Sequence, residues 1–539
     1  MYKNLNIKIT VLLLVVGLSS CKKFLEVQPK DQVTSASLFQ STSNADLFLN
    51  NVYAGLQGPF NTFDPTENFT DNSMNGVNGQ VSRVLYATSV YTASNAPSYW
   101  GLYNNIRAAN LFIQNVNAST LDAAWKKLRV AEARFLRGYF YHILWTHYAG
   151  VPIITDVLNQ SQGDSIFRAR NTDMETYKFI TDECAAIIGD LPLKAEAGRV
   201  TKGAALTLKG WCELFQASAL KNPTNDKARW ATAAATNKQV IDLNAYSLFA
   251  DYNLQFFEEN NDNVETIFAK KYLGGTTLGG GREGLQGTWI VGGLQRAYGG
   301  VDPTQELVDE YQMANGLSIT DPASGYDPQH PYVGREKRFY QSIIYDGAMW
   351  LGFEVVIRHG VGSRDETDLS NINESTNTGY YLLKGLNPKY AINGNNQQNS
   401  ANFIIFRYAE VLLNYAEAQN EAVGPDADVY KMINQVRSRS ELPALPAGLT
   451  QAQMRTAIRR ERRVELAFEE KRWYDLMRWK IAEINLNGNL HAMLIENGVY
   501  KIINAAEGAR KFYPEKNYLY PIPQSVMDKN KDLVQNPNY

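Results

Sequence analysis

Glu461, Glu465, Glu469 and Glu470 stand close together in one apparently helical stretch, and paired carboxylates are the first chemistry this sequence suggests. Glycosidases use two carboxyl groups about 5–10 Å apart. Here, however, Arg459, Arg460, Arg462, Arg463 and Arg472 interleave with the glutamates. Spacings of three and four residues on a helix pair opposite charges, and such pairing lowers a carboxylate pKa. That suits neither a general acid nor a proton shuttle. The stretch reads as a structural ion-pair seam, and no catalytic residue is assigned.

Other chemical patterns fail on context. Gly279-Gly280-Gly281-Arg282-Glu283-Gly284 has the dinucleotide-loop spacing, but that loop works only when a strand precedes it and a helix N-terminus follows. More glycine follows here, around Trp289. Asp528-Lys529-Asn530-Lys531-Asp532 starts like a calcium loop but lacks its glycine and late glutamate. His142 and His147 are five apart and do not share a helical face. No metal site and no cofactor is expected, nor is an enzyme. With a net charge of −2, nothing in the chain attracts nucleic acid.

The unusual resource is aromatic. The chain has 31 Tyr, 22 Phe and 9 Trp, more flat rings than its core alone explains. A sugar presents C–H groups to a ring face, and stacking contributes about 1 kcal/mol per ring. Trp289, Tyr298 and Trp350 fall in a glycine-rich middle region and are the candidate platforms, with Asp71 and Asn72 as hydroxyl partners. Trp100 is a further candidate, although a packing role fits it better. Trp473 and Trp479 read as core.

The elements that must position these residues are mostly helical. Apolar periodicity marks helices over 123–148, 173–190, 201–220 and 226–243, and Gly-Pro or Asn-Pro signals end several of them. Residues 266–272 read as a strand. Eleven glycines between Gly274 and Gly300, and the Asn/Gln-rich stretch 393–402, read as loops. Helix is expected again from Phe403, then over 426–439, then as one long helix over 451–484. Helix pairs of about 34 residues match the tetratricopeptide period. The expected fold is all-α: a tetratricopeptide-like helical repeat scaffold with a loop-rich irregular insertion and minor β.

At the N-terminus, Lys3 and Lys8 flank an apolar run, Ile9 to Leu18, which is too short to span a bilayer. Leu18-Ser19-Ser20-Cys21 follows, similar to a bacterial lipobox with Cys21 as the acylated residue. Cys184 and Cys212 lie in helical patterns, as buried thiols or as one disulfide. The expected organisation is a leader over 1–20, an N-terminal helical region over 21–250 and a C-terminal region over 251–539. The last divides into the insertion, 251–402, and further helical repeats, 403–539, all packed as one body.

Six stretches, in order, carry a family resemblance. They are Cys21–Pro29; Trp100–Ile106 with Ala109-Asn110; and Ala131–Tyr139 with Tyr148–Pro152. Arg407–Ala418 follows, then Arg460–Glu469 running into Arg472–Leu476, and finally Tyr520–Gln524 with Asn530 and Gln535–Pro537. The chain resembles the SusD/RagB family nearly from end to end. The resemblance implies a lipid-anchored outer-membrane protein facing the cell exterior, which binds an oligosaccharide and passes it to a SusC-like, TonB-dependent transporter. It also leaves room for a peptide-binding, RagB-like member. A surface glycan hydrolase and a pure tetratricopeptide adaptor are the weaker alternatives.

Overall fold

Most of the main helices begin where the sequence supplies a side-chain cap. The computed structural model describes residues 38–539 except 60–61, 63–64, 78–84, 274–280, 368–374, 392–398 and 507. The leader and Cys21 therefore lie outside the described residues. Helix α1 spans Thr42–Ala54 and α2 spans Leu102–Ala118. Helix α3, Ala123–Tyr148, opens on Asp122, whose carboxylate accepts the Trp125 N–H at 2.8 Å. Helix α4, Asp173–Ile187, opens on a capping box between Thr172 and Glu175. Helices α5, Lys202–Ala217, and α6, Lys227–Asp242, are capped by Thr201 and Asp226. After the insertion come α7, Tyr408–Val423; α8, Ala427–Arg439; α9, Gln451–Glu465; and α10, Arg472–Arg478.

From α1 to α9 each helix packs on the next, and α6 packs on α7 although some 165 residues separate them in sequence. The repeat stack thus closes across the base of the insertion. Its core is continuous: Phe135, Leu136, Phe140 and Trp145 of α3 share one apolar cluster with Val411 of α7 and Trp473 and Leu476 of α10. Cys184 and Cys212 are buried and unbridged on adjacent helices, where burial pushes both thiols up and leaves them inert.

The strands are short, antiparallel pairs. β1, Thr266–Lys270, pairs with β6, Phe403–Arg407, and joins the two ends of the insertion. Within the insertion, β2, Ile290–Val291, and β3, Leu294–Gln295, form one hairpin. β4, Met349–Trp350, and β5, Phe353–Glu354, form another. Near the C-terminus β7, His491–Glu496, pairs with β8, Val499–Asn504, across Asn497-Gly498. Both turn residues there have positive φ, as a two-residue hairpin turn requires.

Three expectations need correcting. Helix does not return at Phe403, because residues 403–407 are claimed by β1 as its partner strand, and α7 starts at Tyr408. The stretch 451–484 is not one helix. Phe468 and Glu470 both have a φ of 62° and break it into α9, α10 and the turn Ala482–Asn485. The glycine-rich stretch is not wholly loop, since it contains a five-residue π turn, Arg282–Gln286, and the β2–β3 hairpin.

Candidate functional site

The β2–β3 hairpin turns on Gly292 and Gly293, with φ of 62° and 74°, a conformation that costs a residue with a Cβ. A Cβ on Gly292 would also come within 2.8 Å of the Phe353 ring, so the two hairpin tips of the insertion pack on each other. Trp289 and Tyr298 flank the β2–β3 hairpin, and Arg296 N–H donates to the Trp289 carbonyl at 2.8 Å. Their rings, both half-buried, lie 6.1 Å apart at 54°. Tyr298, Gly299 and Gly300 N–H donate to the carbonyls of Gly284, Gly287 and Leu285, so the ring pair rests on the π turn.

Asp365 holds this hairpin from below. Its Oδ1 accepts the Ile290 N–H at 3.0 Å and the Tyr381 hydroxyl at 3.3 Å. Burial pushes its carboxyl up to about 7. The Trp289 indole N–H is buried and has no acceptor among the described residues. Leu294, Met349 and Phe353 are exposed on the two hairpins. The result is an aromatic and apolar face on short strands fixed by backbone hydrogen bonds.

The other sequence candidates belong elsewhere. Trp350 is only 7% exposed and sits in the apolar core beneath the hairpins, beside Val291 and Val355. It supports the face and presents no ring to solvent. Asp71 and Asn72 are fully buried. Asp71 accepts from Arg472 at 2.8 Å twice and from Asn485 at 2.9 Å, and it pairs with Arg463 at 3.0 Å. Burial alone would raise its pKa; the two guanidinium groups hold it well below the usual carboxylate range. Asn72 accepts from Arg463 and donates to Glu67. Neither has capacity left for a ligand, because charged and polar groups this deep must be satisfied internally. Trp100 is half-buried and packs against Tyr103 and Tyr148 at the end of α3. Trp289 and Tyr298 are the two that come together.

The glutamate-arginine seam is present, but its pairs are mainly tertiary. Arg407 of β6 reaches Glu265, Glu465 and Glu469 at 2.6–2.7 Å. Arg338 reaches Glu336, Glu461 and Glu465 at 2.6–3.0 Å. Arg462 pairs with Asp475 at 2.7 Å, and Arg463 with Glu310 at 2.8 Å. A helix neighbour cannot satisfy a fully buried guanidinium fork, so each charge finds partners on other elements. Among the described residues no group of His, Cys, Asp and Glu could hold a metal ion.

The sequence reading missed Phe353, Asp365 and Arg296. The signal for the first hairpin was available: Trp289-Ile290-Val291-Gly292-Gly293-Leu294 is a β-branched run into a Gly-Gly turn.

A family model described as the SusD family matches residues 264–539, just over half of the chain. The chain belongs to the SusD family. A second model, described as "Starch-binding associating with outer membrane", matches residues 23–209. A SusD-like protein of Formosa agariphila is 25% identical over 99% of both chains. A crystal structure of a SusD-like protein from Bacteroides fragilis superposes with a TM-score of 0.80 at 27% identity, covering 95% of this chain and 100% of that one. A SusD-like carbohydrate binding protein from Bacteroides fragilis gives 0.79 at 27% identity, over 92% and 100%. SusD-family membership and a mostly helical body with minor β therefore stand.

Proposed function

We propose that this protein is a cell-surface glycan-binding lipoprotein of the outer membrane that captures an oligosaccharide and delivers it to a SusC-like, TonB-dependent transporter. The observation that carries the binding role is the half-exposed Trp289–Tyr298 ring pair, held on a hydrogen-bonded hairpin beside exposed Phe353. Similarity to a SusD-like carbohydrate binding protein supports the same ligand class. The outer-membrane reading follows the family description matched by residues 23–209. Acylation of Cys21 would supply the anchor, because several acyl chains hold firmly where one holds only reversibly. Two or three stacking platforms give modest affinity, which suits a protein that must release its ligand to a pore. The chain acts by binding, with no catalytic step assigned to it, and its two regions, 21–250 and 251–539, work as one body.

Calorimetry of the purified protein against a panel of polysaccharides and peptides tests the ligand class, with reducing ends assayed in parallel. Binding of one glycan class without product is the expected result. Binding of peptides alone would replace glycan by peptide, and release of reducing ends would make the protein a hydrolase. Co-purification with a TonB-dependent barrel, lost on removal of the hairpin face or of Cys21, separates delivery from capture.

A further inference from the structure

A second pocket lies away from the hairpin face, between α3, α5, the described residues Gln57, Pro59, Pro65 and Thr66, and the start of α10. It is a cavity of about 270 Å3. That exceeds the 150 Å3 or so that admits a benzene ring, so a ring-sized molecule fits. One wall is a run of rings in mutual contact: Tyr139 on His142 at 4.8 Å, His142 on Trp211 at 5.3 Å and Trp211 on Tyr474 at 5.2 Å. Tyr99 completes the wall, and Gln57 at the rim is exposed.

The charges around this cavity do not balance. Lys471 is neutralised by Glu410 at 2.9 Å, and Glu469 by Arg407 and Lys384 at 2.6 Å each. Glu470, half-buried, has no Lys, Arg or His nitrogen within 4 Å among the described residues, whereas the buried seam carboxylates Glu461, Glu465 and Asp71 are paired. One oxygen, Oε2, accepts the Thr66 N–H at 2.6 Å. Burial raises its pKa, with Thr66 the chief opposing influence. Glu470 also holds a φ of 62°, a left-handed conformation that is uncommon for a residue with a long side chain. Such strain is retained where it places a functional group.

The ring-bearing polar groups of the wall can accept. His142 Nδ1 bonds the Tyr139 carbonyl, which makes Nδ1 the donor and leaves Nε2 a lone pair. Burial holds His142 neutral, with its pKa down at about 3. The Tyr139 and Tyr474 hydroxyls have no hydrogen-bond partner among the described residues, and Tyr474 and Tyr99 lie in the field of Glu470. An ammonium group has three donors and no acceptor, and aromatic walls attract cations.

From the unpaired carboxylate, the acceptor set and the ring wall, we infer that this cavity is a second binding site, selective for an organic ammonium group on a ring-sized or short-chain molecule. Glu470 provides the counter-charge, and Tyr99, Tyr139, Trp211 and Tyr474 provide the enclosure. The ammonium can come from an amino sugar or from an amino acid or peptide amine. The inference does not rest on the glycan reading of the hairpin face.

Calorimetry of the purified protein with glucosamine, glucose, N-acetylglucosamine and lysine amide tests it. The three sugars share a ring, and only glucosamine carries the positive charge. Glucosamine or lysine amide should bind at least about ten-fold more tightly than glucose and N-acetylglucosamine, a charge-assisted difference. Which of the two amines binds better names the source. Glu470→Gln should remove that preference, while Trp289→Ala should leave it intact. Should E470Q fail to fold, as judged by circular dichroism, Glu470→Gly relieves the positive φ and Tyr474→Phe keeps the ring, and each should weaken amine binding. Equal binding of neutral and charged sugars, amine binding unchanged in these variants, or no amine binding at millimolar concentration would each overturn the inference.

Discussion

Glu417 in the helical scaffold and Asp365 and Glu283 in the insertion are all buried carboxylates, yet they behave in opposite ways. In the scaffold, Glu417 accepts both guanidinium arms of Arg478 at 2.6 Å, and its pKa falls to about 2 although burial pushes the other way. In the insertion, Asp365 and Glu283 receive only neutral donors at hydrogen-bond distance, and burial raises each to about 7. Around Glu417 the scaffold spends its charges on one another. Around the hairpin face the insertion has neutral hydrogen bonds, short strands and half-covered rings, which leaves binding capacity at its surface.

The strongest way to break this comparison is to remove a cation from the seam. Arg407→Met removes a buried cation shared by Glu265, Glu465 and Glu469 and should cost about 3–5 kcal/mol in chemical denaturation. A loss below about 1 kcal/mol would mean the seam contributes little. Trp350→Ala should cost a similar amount, about 3–5 kcal/mol, because it opens a cavity under the hairpins. Any loss of ligand affinity in that variant should track its loss of fold. Trp289→Ala together with Tyr298→Ala should do the reverse, weakening glycan binding about ten-fold or more with a small change in melting temperature. Unchanged affinity in the double variant would move the binding face elsewhere.

The pH profile sharpens the contrast further. Carboxyls held low, such as Glu417, stabilise the fold fully above their ordinary pKa, and that contribution is lost as pH falls from about 4.5 toward 2. Carboxyls held high behave oppositely. The contribution of Asp365 is greatest below its ordinary pKa and declines as pH rises from about 4 to about 7. Urea melts should therefore show maximal stability in mildly acidic buffer. Asp365→Asn should flatten the decline toward neutral pH while keeping the Ile290 contact, and an unaltered slope would assign the decline to other groups. The smallest effect is local: Thr450→Ala removes the capping box of α9 and should cost about 1 kcal/mol without touching binding.

Much of the scaffold is legible because its signals are local. Asp122, Thr172, Thr201 and Asp226 announce helix starts, and α3 runs over the 123–148 that periodicity predicts. The binding face was legible only in part. Trp289 and Tyr298 could be chosen as aromatics among glycines, but the same reasoning selected Trp350, whose cross-strand neighbour Phe353 is the exposed ring instead. Trp350 and Phe353 are direct cross-strand partners, and which of them is covered depends on the core beneath the hairpin, which composition does not carry. Asp71 and Asn72 looked like loop polar residues because their arginine partners lie some 390 to 400 positions away.

The sequence by itself determined the family, the helical repeats and the ionic character of the glutamate-arginine stretch, all properties of nearby residues and ordered motifs. Tertiary structure alone decided which charges pair, which rings remain open and which carboxylates, Glu470 and Asp365 among them, have no cation at ion-pair distance among the described residues. Those outcomes depend on burial and on partners from distant segments, and the free energy of a charge or ring is set by what surrounds it in space.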